Sequence, residues 1–217
     1  MDRTEIARTC ETLRVFPLPG TVLMPGAPLP LHVFEPRYRQ LVADALEGDG
    51  ILCVPQIAEG QEEGHLGRPE LLPYVAVGRI ALHHQLPDGR YNILVQPIGR
   101  ARLRHELPAE TPYRRFVADF LDDTDDDDAR TALIGRRVVG LVAPVLAMVG
   151  ADADKLQQAL SSMEPSRVPQ SLAPLVLREA AERQAYIAED SAVKRAVMVE
   201  HAVLTYIAET RGAAAEA

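Results

Sequence analysis

The first half of the chain alternates short runs of apolar and polar residues, and the second half carries apolar residues at helical spacing. Apolar alternation and short apolar runs predict strands, which fall at residues 13–18, 51–55, 75–82, 90–96, 99–107 and 114–121. Pro87-Asp88-Gly89 joins two of these strands as a hairpin, because glycine supplies the positive φ that such turns require. The pattern therefore predicts a β domain ahead of the helices.

One helix interrupts the predicted strands. It begins near Glu35-Pro36, where the missing N–H of a proline costs nothing, and apolar residues recur at helical spacing up to Gly48 and Gly50. The prolines that precede it have no N–H to donate, which excludes a central strand there and favours edge strands. Short strands with one inserted helix indicate a small, partly closed barrel.

The pattern changes at an acidic run. All residues from 122 to 128 except Thr124 are aspartates, and we expect the last of them, Asp128, to cap the following helix. Helical spacing then continues over residues 129–149, 152–163, 168–188 and 191–210. The apolar faces of these helices need partners, which predicts a bundle. We interpret the chain as an α+β protein with a β-barrel domain at residues 1–121, an acidic linker at 122–128 and a helical domain at 129–217.

Composition places the protein among ordinary globular chains. It has 217 residues, of which 47% are hydrophobic and 25% are charged, so it can bury a sizeable core. The longest apolar run, residues 138–151, is shorter than the roughly 20 residues that a bilayer span needs, so no membrane partner is expected. No secretory signal is visible, and Cys10 and Cys53 form no C-x-x-C motif. These features predict a cytoplasmic protein.

The sequence carries no motif for catalysis, a cofactor or a metal. Lys155 and Lys194 are its only lysines and neither follows a glycine, so no G-x-x-x-x-G-K phosphate loop exists. Ser191 and Lys194 spell S-x-x-K, but the companion elements of that enzyme class are absent. The acidic run lacks the glycine and the final carboxylate of a calcium loop. We therefore predict that the protein is not an enzyme and has no catalytic, cofactor or metal site.

A set of short motifs follows one order along residues 13–121. A short strand leads into PLPG, an apolar run with PG, and the segment LPLHVFEPRYRQL. VGRI, LPDGR and GRARL follow downstream. This order resembles the N-terminal, substrate-binding domain of Lon proteases. The resemblance implies a pseudo-barrel similar to the PUA fold. Because the ATPase and peptidase parts are absent, it also implies a stand-alone, non-enzymatic binding module or adaptor.

The same resemblance implies a site for an unfolded or partner polypeptide. Such a site would use exposed apolar anchors on a scaffold that prolines stiffen, which lowers the ordering cost of binding. The candidates are Leu23, Met24, Pro25, Leu29, Phe34 and Tyr38. Apolar residues near a barrel edge are also frequent core residues, so both interpretations stay open at these positions.

RNA binding is the alternative function. Arg100, Arg102 and Arg104 alternate along one predicted strand and therefore share a face, with Arg79 on a neighbouring strand. Such a row of arginines could neutralise phosphates. The net charge of −8 and the absence of tryptophan weigh against it, because single-stranded RNA favours basic grooves with aromatic stacking. A solvated strand face, balanced by the acidic helical half, explains the same arginines.

Overall fold

A computed structural model of the protein describes residues 3–60, 67–124, 127–149 and 151–215. The chain divides into two compact units. The first comprises Met1–Asp122 and Arg183–Ala188, and the second comprises Asp123–Glu182 and Glu189–Ala217. The first unit ends next to the boundary expected from the sequence. It also contains a late helical segment that the sequence interpretation assigned to the helical domain.

The described residues of the first unit form the inserted helix and most of the strands that the sequence predicts, and they add a strand at Leu29–Val33 that it does not. Its elements before the acidic run are α1 (Arg3–Thr9), β1 (Leu13–Val15), β2 (Leu29–Val33), α2 (Pro36–Glu47), β3 (Ile51–Cys53), β4 (Tyr74–Gln85), β5 (Tyr91–Glu106) and β6 (Arg114–Leu121). The inserted helix α2 has Pro36 in its first turn, and Glu35 before it is extended, as the Glu35-Pro36 pair predicts.

The six strands form one sheet in the order β2-β5-β4-β3-β1-β6, and β5 also pairs with β6. This additional pairing closes β1, β3, β4, β5 and β6 into a ring. β1 and β3 are parallel, whereas the other pairs are antiparallel. All five strands of the ring contribute to one apolar core: Cys10, Leu13, Val15, Ile51, Cys53, Val75, Val77, Ala101, Leu103 and Ala118.

β5 is one long strand, so the prediction of two separate strands over its length is wrong. The register between β4 and β5 shifts between Val77 and Gly78, which pair with Gly99 and Pro97 respectively. Ile98 is the extra residue of the resulting β-bulge, and a bulge lets a strand bend past a proline without ending. The Pro97-Ile98-Gly99 segment therefore marks a bend in the sheet.

The second unit is helical in its described residues. Its helices are α3 (Asp128–Val149), α4 (Ala151–Ser162), α5 (Val168–Val176), α6 (Ala180–Ala188), whose last residues belong to the first unit, and α7 (Ala192–Ala215). α3 packs against α4, α5 and α7, and α5 packs against α7. The side chains buried in this unit include Ile134, Val138, Leu172, Val199 and Val203. None of the helices in the described part of the chain is long and apolar enough to span a membrane.

The acidic run supplies the cap of α3. Oδ1 of Asp127 accepts a hydrogen bond from the backbone N–H of Arg130 at 2.9 Å, which satisfies one of the unpaired donors at the helix start. Residues 125 and 126 of the expected linker lie outside the described residues. The cap is therefore Asp127, one residue before the predicted Asp128, because α3 already begins at Asp128.

The single helix predicted over residues 168–188 is wrong, because α5 and α6 are separate. The chain leaves helical geometry at Leu177, whose φ and ψ are −82° and 100°. Oε2 of Glu182 accepts hydrogen bonds from the backbone N–H groups of Arg178 and Glu179 at 2.9 and 3.0 Å. This side-chain cap starts α6 as a helix of its own.

Candidate functional site

The sheet extends beyond the ring through β2 and the outer parts of β5 and β4, and one face of this extension is largely exposed to solvent. β5 pairs with β2 on one side and with the outer part of β4 on the other, so the order across this extension is β2-β5-β4. Two cross-strand rows lie side by side: Pro30, Leu94 and Leu82 in one, and His32, Asn92 and His84 in the next. These six residues and Phe34, which follows β2, are termed the hairpin face.

The two sides of the extension differ in burial, because successive residues of a strand point to opposite faces. Tyr91, Ile93 and Val95 of β5 are buried, whereas Asn92 is exposed and Leu94 is half-buried. Phe34 lies on the exposed side with His32, and the two ring centroids are 6.3 Å apart in a stacked arrangement. The side of β5 that carries Ile93 and Val95 therefore contributes to the core, and the opposite side of the extension is the hairpin face.

Two large apolar side chains stand out on the hairpin face. Phe34 is 60% exposed and Leu82 is 65% exposed, and no other large apolar side chain in the described part of the first unit is as open. Phe34 and Leu82 lie two strands apart across the sheet and four residues apart along it. With about 4.8 Å between strands and about 3.4 Å per residue, the distance between these two positions is about 16 Å. Exposed apolar surface rimmed by polar groups is typical of interaction sites.

Hydrogen bonds fix the polar part of the face. Nδ1 of His32 lies 2.7 Å from Oδ1 of Asn92, and Nη1 of Arg90 lies 3.2 Å from Nε2 of the same ring. Arginine only donates, so Nε2 accepts and Nδ1 carries the proton. Asp88 holds Arg90 through a 2.7 Å bond to Nε. The backbone N–H of Arg90 donates to Asp88 and is the main cause that keeps the pKa of this carboxyl below its usual value; the Arg90 guanidinium is the second. The turn and the imidazole are thus preorganised.

The structure separates the residues that the sequence proposed as peptide anchors. Four of them are buried in the first unit: Leu23, Met24, Pro25 and Tyr38. The ring of Tyr38 lies 4.2 Å from that of Phe16, and burial raises the pKa of Tyr38 to about 12. Leu29 is half-buried, and Phe34 is the member of the set on the hairpin face. The proline-rich segment packs inward, so these four side chains contribute to stability and cannot serve as exposed anchors in this fold.

The arginines proposed for RNA do not form a continuous row at the surface. Arg100, Arg102 and Arg104 point away from the core, but Arg100 is only 5% exposed and donates a 2.9 Å bond to the carbonyl oxygen of Ile187. Arg102 lies over the ring of Tyr74. Arg104 pairs with a carboxylate of the neighbouring strand, and Arg79 is half-buried.

Neither cysteine has the environment of a reactive thiol. Cys10 and Cys53 are free and buried, and burial raises the pKa of the Cys10 thiol to about 11. The thiol, not the nucleophilic thiolate, is therefore the resting form. Within the described ranges, no three or more His, Cys, Asp or Glu side chains are placed to hold a metal ion.

The fold and the sequence both lead to one family. A family model described as the ATP-dependent protease La (LON) substrate-binding domain matches residues 12–204. The chain therefore belongs to this family, as its motif order suggests.

The curated relatives of the chain are much longer proteins. Lon protease 1 of Herpetosiphon aurantiacus is 27% identical over 213 residues, which is 93% of this chain and 25% of the relative. Lon protease 2 of Myxococcus xanthus is 27% identical over 140 residues, which is 64% of this chain and 17% of the relative. The chain thus spans a quarter or less of these curated relatives.

Solved structures share the fold. The N-terminal domain of a Lon protease from the Mycobacterium avium complex superposes with a TM-score of 0.69 at 12% identity, covering 88% of this chain and 97% of that one. A Lon N-terminal domain protein from Xanthomonas campestris gives a TM-score of 0.57 at 22% identity, covering 85% and 94%. These likenesses establish the mixed α+β fold alone.

Proposed function

We propose that this protein is a non-enzymatic polypeptide-binding module or adaptor that takes unfolded segments of other proteins on the hairpin face. The observation that carries the proposal is the exposure of Phe34 and Leu82 on a hydrogen-bonded strand extension, in a chain of a substrate-binding family. We also propose a PUA-like barrel. Two free, buried cysteines fit a reducing compartment such as the cytoplasm.

Side-chain contacts suit this role better than backbone pairing. β2 is the edge strand of the extension, and Pro30 within it has no N–H to offer an added strand. Apolar contacts do not depend on a defined partner sequence. Full burial of a Phe or Leu side chain against the partner contributes about 1.5–3 kcal/mol to binding. About five residues of extended polypeptide cover the 16 Å or so between Phe34 and Leu82. The hairpin face therefore favours short apolar segments of many sequences.

Replacement of the two apolar anchors is expected to weaken peptide binding. The probe is an unstructured, dye-labelled peptide rich in Leu and Phe, and fluorescence anisotropy gives its Kd at low and moderate salt. Phe34→Ser and Leu82→Ser are each expected to raise Kd about tenfold, because each removes buried apolar area worth about 1.4 kcal/mol. Binding by wild type should persist as salt rises, since apolar contacts are not screened.

Leu175→Ser is the matched control. Leu175 lies on α5 of the second unit and is 64% exposed, close to the 65% of Leu82. We expect it to leave Kd unchanged. An equal loss in all three variants would show that surface hydrophobicity in general, and not the hairpin face, holds the peptide. Tight binding of single-stranded RNA that falls with salt and with Arg102→Ala would favour the RNA alternative instead.

A further inference from the structure

A groove lies between the start of α2 and the hairpin turn, on the other side of the turn from the hairpin face. Its cavity has a volume of about 290 Å³, and Arg39, Gln40, Gln85, Gly89 and Tyr91 are among the residues that line it. None of the lining residues is acidic. The groove therefore presents one cation among amide and aromatic groups.

The backbone N–H of Arg39 donates to the carbonyl oxygen of Glu35 at 2.9 Å, but its guanidinium makes no hydrogen bond and no ion pair with any residue in the described part of the chain. Its guanidinium packs against the turn so closely that a Cβ at Gly89 would overlap Nη2. The neighbouring carboxylate, Asp88, is already bound by the side chain and the backbone N–H of Arg90. Arg39 is half-buried, so its direction is fixed by packing while its donors stay available.

The chemistry of the groove favours a carboxylate. A guanidinium presents paired N–H donors in a planar fork that matches the two oxygens of a carboxylate. Gln40 already donates its amide to Asp44 at 2.6 Å, which leaves Arg39 as the charged donor. Arg39 lies near enough to Asp88 for its charge to help lower the pKa of that carboxyl, but Arg90 already binds the Asp88 oxygens. A half-buried guanidinium to which no carboxylate is hydrogen-bonded gains from an incoming anion.

The groove is continuous with the hairpin face along the chain. Phe34 belongs to the face, and Pro36, two residues later, lines the groove. Two residues span at most about 7 Å. A polypeptide that packs an apolar residue on Phe34 can therefore reach the Pro36 edge of the groove within two or three residues, and can place a carboxylate at Arg39 a few residues further along the same segment.

We infer that the Arg39 groove binds a carboxylate of the polypeptide held on the hairpin face. This inference rests on the proposed function and adds a charge preference to it. The carboxylate comes either from the end of a chain or from an Asp or Glu side chain. Segments that combine an apolar residue with a nearby carboxylate are then preferred over neutral ones.

Three ten-residue peptides test the inference with the full chain. They share one apolar sequence and a dye without carboxylate: one has a free C-terminus, one is amidated, and one is amidated with a single Gln→Glu change. We expect at least one carboxylate-bearing peptide to bind wild type about fivefold more tightly than the neutral peptide, as a partly exposed, charge-assisted pair allows. Comparison of the two carboxylate-bearing peptides shows whether the groove prefers the end of a chain or an acidic side chain.

Arg39→Gln should abolish this difference and leave the Kd of the neutral peptide unchanged. Arg8→Gln is the control, because Arg8 is an exposed arginine of α1 and its loss changes the net charge equally. Equal binding of all three peptides by wild type would overturn the inference while the proposed function stands. A difference that survives in Arg39→Gln would also overturn it. Failure of every peptide to bind would overturn both.

Discussion

Gly135→Ala is expected to lower the free energy of unfolding by about 2–3 kcal/mol, because overpacking a rigid site has a cost of this size. Gly135 lies in α3, where an added Cβ would overlap the backbone carbonyl oxygen of Pro165. Neither backbone can rotate away as a flexible side chain would. The helix and the Pro165–Arg167 turn must therefore separate, which opens a buried contact. Urea unfolding followed by far-ultraviolet circular dichroism gives the change.

Gly140→Ala is the matched control in the same helix. An added Cβ at Gly140 has no atom within 4 Å, and alanine is a better helix former than glycine by about 1 kcal/mol. This variant should therefore raise the stability by up to that amount. The opposite signs at two glycines of one helix are the expected result. Stabilisation by both changes would contradict the close packing of α3 on the turn.

Arg100→Met is expected to cost about 2–3 kcal/mol, since hydrogen bonds to charged groups and unsatisfied buried acceptors have energies of this order. Arg100 is 5% exposed, and its guanidinium donates to the carbonyl oxygen of Ile187, both in the first unit. Methionine keeps much of the apolar stem but has no donor. The Arg183–Ala188 segment then loses an anchor on β5, so its amide hydrogens should also exchange faster.

Arg102→Met provides the comparison on the same strand. Arg102 is exposed and lies 5.6 Å from the ring centroid of Tyr74, an interaction worth about 0.5–1 kcal/mol at such sites. We expect a loss no larger than this and no change in exchange at Arg183–Ala188. Equal losses at Arg100 and Arg102 would mean that Arg100 does not hold this segment.

Local signals were enough to predict most of the strands along the chain, the hairpin and the inserted helix, but not β2. The Pro87-Asp88-Gly89 turn has its positive φ at Gly89, and α2 begins at Pro36, because turn chemistry and proline geometry act over a few residues. The β5 bend was missed because a proline and a glycine near each other also mark strand ends. Only the pairing with β4 shows that Ile98 is a bulge.

The proposed binding face was harder to predict because exposure is a tertiary property. Leu23 and Met24 have the same apolar character as Phe34, and burial alone distinguishes them. The pattern predicts a strand that ends at Leu82, but β4 continues to Gln85, and residues 81–85 are all exposed. A run of polar residues after Leu82 was the one available signal that this strand leaves the core.

Site-specific photo-crosslinking tests most directly whether unfolded polypeptide binds at the hairpin face. p-Benzoylphenylalanine replaces Leu82 in one variant and Leu175 in another, two positions of nearly equal exposure. Irradiation with the labelled apolar peptide should crosslink the first variant and not the second, and unlabelled peptide should compete. Crosslinking at position 175 alone, or to the same extent at both positions, would contradict the account.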